Sequence, residues 1–141
     1  MRYKAICTKG DISEKNFVVL FLKHGYTTMD QVSKFRALTR QAMSDLISNY
    51  YLNTHPIEAN FVEDNENGHY LIFLQGWRGM KHIYGISIHV EVKQNGKVWI
   101  HRDSSSVTII DHLEKAGIPT SQMVVSWHPP VARKHTEFAV G

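Results

Sequence analysis

The chain has 141 residues, 43% of them hydrophobic, enough for one domain that buries roughly two thirds of its unfolded surface in a single core. Charged residues at 21% and aromatics at 11% exclude a disordered tail, a collagen-like repeat and a low-complexity chain. Sixteen Lys and Arg against thirteen Asp and Glu leave a net charge of +3, a weak field without the clustered basic stripe of a dedicated nucleic-acid binder.

Cys7 is the single cysteine, so neither an intramolecular disulfide framework nor a thiolate zinc site can form, which fits a reducing, cytoplasmic setting. Residues 4–9 and 17–22 have strand character between generic turn signals. The apolar run 17–22 is far shorter than the ~20 residues that cross a bilayer, and no small-residue cleavage site follows it. Residues 1–28 therefore read as a leader of undetermined structure, ahead of a domain over 29–141.

Apolar residues Val32, Phe35, Leu38, Met43, Leu46, Ile47 and Tyr50 recur at helical spacing and predict an amphipathic helix over 32–50. Thr28 and Gln31 have the spacing of a capping box, and Asp30 lies in the first turn, where the helix dipole favours a negative charge. Arg36 and Arg40, one turn apart, read either as snorkelling side chains at the edge of the stripe or as a phosphate clamp.

Four runs of strand character follow at 57–63, 69–77, 83–93 and 97–103, separated by turns at 64–68, 78–81 and 94–96. Links this short favour antiparallel neighbours. The last hairpin can be read in register. A three-residue loop, Gln94-Asn95-Gly96, pairs Val92 with Val98 and Val90 with Ile100, gathering the aliphatic residues on one face, with Gly96 as the left-handed loop residue. The other face then sets His89 opposite His101, Ser87 opposite Asp103 and Glu91 opposite Trp99.

A second helix is expected over 107–116, capped by a serine of 104–106 and stopped by Gly117 with Pro119 beyond. A fifth strand at 123–127 ends at His128-Pro129-Pro130. The fold class is α+β: an antiparallel sheet of four to five strands with two helices, in the order helix, four strands, helix, strand.

One ordered series of residues carries a family resemblance. It comprises Gly76-Trp77, Lys81, Tyr84-Gly85, Ile88-His89, the run Gly96-Lys97-Val98-Trp99-Ile100, Asp103, Gly117, His128-Pro129-Pro130, Arg133 and Thr136-Glu137-Phe138-Ala139. With these residues the sequence resembles the XisI family, the cyanobacterial excision-controlling factors named for the fdxN element. The resemblance implies a small α+β accessory protein that acts with an XisH-like partner while a separate site-specific recombinase performs the strand chemistry, so that contact with DNA is indirect. His82 and His101 stand where the family pattern has arginine and glutamine, and Ser105-Ser106 replace a Thr-Glu pair.

Among chemistry-bearing residues, His89, His101 and Asp103 have the composition of a two-histidine, one-carboxylate metal site, which would suit a metal-dependent hydrolase or nuclease. The plain alternative is a polar sheet face whose side chains bond to neighbours or a partner, with no metal or other cofactor. His128, Arg133 and His135 read either as an anion pocket or as a rigid turn, with the Arg133 guanidinium left for a partner. Trp77, Trp99 and Trp127 suit core or interface packing better than base stacking. Trp99 is expected on the mixed face with Tyr70, Ile72 and Leu74, as an apolar patch that an oligomer or protein partner covers. Partner-binding candidates are therefore Trp99, His89, Tyr70, Arg133 and His128. A P-loop, a dinucleotide fingerprint, a nucleophile elbow and an HExxH motif are all absent.

Overall fold

The computed structural model describes residues 28–51 and 53–141. The strands expected within 1–27 and the cap by the Thr28 side chain lie outside the described part. Helix α1 (Thr28–Tyr50) leads into β1 (Glu58–Asp64), β2 (His69–Arg78), β3 (Lys81–Val92) and β4 (Val98–Asp103), then α2 (Ile109–Ala116), a 3₁₀ turn (Thr120–Gln122), β5 (Met123–Val125) and a short α3 (Pro130–Arg133). The sheet order is β1-β2-β3-β4-β5. Neighbours are antiparallel from β1 to β4, whereas β5 lies parallel to β4. That reversal follows from the long connection through α2, which supplies the crossover a parallel pair requires.

The apolar stripe of α1 packs on one face of the sheet. Val32, Phe35, Met43 and Leu46 join Tyr70, Ile72, Ile88, Val90, Val92, Val98 and Ile100, and α2 adds Ile109 and Leu113. The β3–β4 hairpin has the expected register, Val92 to Val98 and Val90 to Ile100. Lys93 and Lys97 close it, and Gly96 takes a φ of +84° in the left-handed region.

Two residues without a cross-strand partner decide what faces the core. In β3 the pairing with β2 jumps from Phe73–Ile86 to Ile72–Ile88, so Ser87 is extra. Ser87 and Ile88 are consecutive buried residues, which a regular strand, with its period of two, cannot provide. Ser87 is held there by the Tyr51 hydroxyl at 3.1 Å and by Ser104, whose N–H donates to the Ser87 carbonyl at 2.9 Å. Counting regularly back from the Arg78–Lys81 pair would set Tyr70 opposite His89. The bulge sets it opposite Val90 instead. Tyr70 and Ile72 are thereby fully buried beneath the helices, a correction to their expected place beside Trp99. The Tyr70 hydroxyl donates to Asn65 Oδ1 at 2.8 Å.

The second extra residue is His101. Beyond Val90–Ile100 the pairs are His89–Arg102 and Ile88–Asp103, which replace the expected His89–His101 and Ser87–Asp103. Asp103 consequently turns to the helix side. Its Oδ2 accepts the Ile109 N–H at 2.8 Å, and its Oδ1 accepts the Ser105 N–H at 3.1 Å. Thr108, the residue at the N-cap position, makes no side-chain cap bond; the carboxylate at the end of β4 does that work for α2, where the helix dipole also favours it.

Replacing Asp103 with Ala should lower the unfolding free energy by about 1–2 kcal/mol, the usual loss of a helix cap. Urea denaturation measures it. An unchanged midpoint would mean that α2 does not depend on this carboxylate.

Candidate interaction surface

Helices α1 and α2 pack on one side of the sheet, and the opposite face divides into a covered half and an open half. The C-terminal segment covers the β4–β5 half. Arg133 is the clamp: Nε donates to the His128 carbonyl at 2.9 Å, Nη2 to that of Ser126 at 3.2 Å and Nη1 to that of Val140 at 3.3 Å. Its guanidinium also lies over the Trp99 ring at 5.2 Å, and Lys93 Nζ lies over the same ring at 4.7 Å. The expectation of a free Arg133 is corrected by these bonds: backbone carbonyls take its donors. Trp99 is half-buried under the chain's own tail. His128 is part-buried with its ring 6.0 Å from Phe138, and it belongs to the same clamp through its carbonyl.

In the middle of the face sits a connected polar cluster. His69 and His89 share a hydrogen bond at 3.0 Å between Nδ1 and Nε2. The His89 and His101 rings are 4.8 Å apart despite the changed register, because the bulge leaves His101 beside His89's partner. His101 Nε2 and Glu91 Oε2 are 2.7 Å apart, and Lys93 Nζ is 3.6 Å from the same oxygen. Thus the proposed pair of histidines is together while Asp103 is on the far side of the sheet. Glu91 and His69 occupy the places that spacing alone did not disclose. Their signal was the β2–β3 register, which sets His69 opposite Glu91. Among the described residues, no group of three or more His, Cys, Asp and Glu is arranged to hold a metal ion.

The β1–β3 half is open. Val62 is 49% exposed, Trp77 57%, Tyr84 70% and Ile86 38%, with Met80 at the β2–β3 turn 96% exposed. Rings line this half: Phe73 packs edge-on to Tyr84 at 5.2 Å, and Trp77 tilts against His82 at 4.7 Å. Glu58 borders these groups, accepting from Gln75 Nε2 at 3.0 Å, and an exposed apolar cluster with a polar rim is the composition of a contact surface. The basic side chains of α1 are engaged elsewhere, Arg40 with Glu63 at 2.7 Å and Arg36 with the Asn65 carbonyl at 2.9 Å.

The sequence matches the family of the XisI protein over residues 29–140. The chain belongs to the XisI family. A XisI-like protein from Anabaena variabilis ATCC 29413 has the same fold, with a TM-score of 0.70 and 24% identity over 78% of this chain and 99% of its own. The fdxN element excision controlling factor XisI from the same organism gives a TM-score of 0.64 and 29% identity over 79% of this chain and 100% of its own. Comparison with curated proteins gives no match. Among the described residues of this XisI-family chain, no helix is long and apolar enough to cross a membrane.

The polar cluster makes stability depend on pH. Burial first, and then the positive charges of His101 and His69, hold the His89 imidazole below its ordinary range. The unfolded chain then binds a proton that the folded protein does not. The resulting stabilisation is complete above the ordinary histidine pKa of about 6.5 and is lost as pH falls through the lower folded value. Glu91 acts in a lower window. Burial pushes its carboxyl up, but the His101 hydrogen bond and the charges of Lys93 and His69 outweigh it and leave the group below the usual carboxylate range. Between about pH 7.5 and 5.5, where histidine titrates, the urea midpoint should fall in the native protein and fall less in His89→Gln. Parallel falls in both would show that His89 does not carry the dependence.

Proposed function

We propose that this chain is an excision-control accessory factor that acts by protein contact, together with an XisH-like protein and a site-specific recombinase that performs the strand chemistry. The family membership and the likeness to the fdxN element excision controlling factor support the excision-control part. The contact part rests on one observation: the open half of the sheet face presents Val62, Trp77 and Tyr84 to solvent with no described helix over them. Aromatic and aliphatic groups held on paired strands lose little side-chain entropy when a partner covers them, so such a surface is suited to binding.

The role of DNA in this reading is indirect. Arg36, Arg40 and Arg133, the guanidinium groups that the sequence offers as phosphate or partner contacts, bond to Asn65, Glu63 and the C-terminal segment. The reading also accounts for the clustered histidines as a hydrogen-bonded seam between the covered and open halves.

Co-expression with an XisH-like protein tests the proposal. A complex should be recovered, and Val62→Asp with Trp77→Asp should weaken it roughly 100-fold, as expected when charges are buried at an apolar contact. Val131→Asp, on α3 away from this face, should leave binding intact. Absence of a complex at about 10 μM, where a specific pair of even moderate affinity associates, would overturn the reading. So would a complex indifferent to Val62 and Trp77.

A further inference from the structure

The β2–β3 hairpin is longer than the strand that should flank it. β3 begins at Lys81, yet β4 pairs with it only from Ile88 onward, and at Ser104 the chain leaves the sheet for α2. Residues 81–86 of β3 therefore have β2 on one side and no strand on the other among the described residues. A two-residue turn at Gly79-Met80 joins Arg78 to Lys81, and the pair closing such a turn is hydrogen-bonded. The backbone groups of Lys81, Ile83 and Gly85 consequently turn toward β2. Those of His82, Tyr84 and Ile86 turn outward.

Free strand edges are normally protected by charge, proline, shortness or cover. The other two edges of this sheet obey that rule. β1 carries Glu58, Glu63 and Asp64; β5 has three residues, and the Ala139 N–H from the C-terminal segment donates to the Met123 carbonyl at 2.8 Å. The β3 edge has no such device between Lys81 and the Ser87 bulge. Its sequence, His82-Ile83-Tyr84-Gly85-Ile86, has no permanent charge.

We infer that this edge pairs with the same edge of a second copy of the chain, antiparallel about a two-fold axis at Tyr84, so that two five-stranded sheets become one. Three features favour a second copy over another partner. The outward groups at 82, 84 and 86 are symmetric about Tyr84, so one two-fold satisfies all of them, as an isologous contact requires. The register sets His82 opposite Ile86 on either side of Tyr84, so no like permanent charges meet between residues 82 and 86, and the ladder ends before Ser87, whose carbonyl already accepts the Ser104 N–H. Finally, Tyr84 and Ile86, exposed beside the outward backbone groups, would meet the partner's Tyr84 and the partner's His82 across the axis, so that side chains as well as backbone join. A groove lined by Leu74, Ile83, Ser87 and Ser104 runs along this edge.

This association does not depend on the excision-control reading, and its test is separate. The 141-residue, 16.2 kDa chain should sediment as a dimer at about 50 μM, a concentration that populates specific dimers of micromolar affinity. Tyr84→Lys places like charges against each other at the axis and should weaken the dimer roughly 100-fold. Tyr84→Pro, which removes an outward N–H but is tolerated on an edge strand, should do the same. Tyr84 is exposed, and circular dichroism should show the fold retained in both variants. Hydrogen exchange supplies an independent reading: the amides of His82, Tyr84 and Ile86 should be protected in the dimer and not in Tyr84→Lys. A monomer at 50 μM, or a dimer unchanged by both substitutions, would overturn the inference. So would a monomer with these three amides already protected, because the edge would then be occupied by residues 1–27 of the same chain.

Discussion

Side chains on a strand alternate between two faces, so one unpaired residue reverses every residue beyond it relative to the neighbouring strand. This protein uses that constraint twice, at Ser87 and at His101. The first reversal brings Tyr70 and Ile72 beneath α1, giving the core its largest side chain and a second row of aliphatic contacts. The second takes Asp103 out of the open face and puts its carboxylate at the start of α2. Helix placement and the composition of the exposed face thus have a common origin in the backbone. Ser87 joins the two bulges directly, since its carbonyl accepts the Ser104 N–H at the point where β4 gives way to the α2 connection.

The same geometry explains how three histidines on one sheet face are held together by hydrogen bonds and one carboxylate. Glu91 lies opposite both His69 and Trp99 on neighbouring strands, so its carboxylate is placed to interact with imidazoles from each side. Charge balance is local: lysine and histidine surround one carboxylate, and burial holds the His89 imidazole below its ordinary range, favouring its neutral form. A neutral imidazole can accept a hydrogen bond from His69, whereas two imidazolium rings at 3.0 Å could not share one. The cluster is therefore a hydrogen-bonded seam whose cohesion depends on the absence of one proton.

The sequence made the helices and the last hairpin legible because each depends on local information. The α1 stripe has helical periodicity, Gly117 has the left-handed φ of +115° that ends α2, and Gly96 has the φ of +84° that the three-residue loop needs. The family motif likewise survives in linear order. What could not be read locally was the position of bulges, because Ser87 and His101 differ from ordinary strand residues only through their partners. His89 and His101 still meet, but for a different reason from simple opposition. Tyr70 was misplaced because its face is set by Ser87, seventeen residues later, and Arg133 because the carbonyls that hold it come from the final turn and tail.

These long-range constraints also distribute exposure unevenly. The Arg133 clamp spends three backbone acceptors and a cation–π contact on covering Trp99, while Trp77 and Tyr84 receive no comparable cover among the described residues. Both groups of aromatics lie on the face opposite α1 and α2, so the difference cannot come from sheet pleating. It comes from chain path: after β5 the C-terminal segment turns back over β4 and β5, and β4 itself ends before reaching the first half of β3. A hairpin that projects past its neighbouring strand keeps both an apolar face and an unsatisfied backbone edge. Those two properties favour different contacts, side-chain packing across the face and strand addition along the edge. Because the directions are perpendicular, occupation of one leaves the other geometrically available, and a pair of chains joined at their edges would present two such faces on one continuous surface.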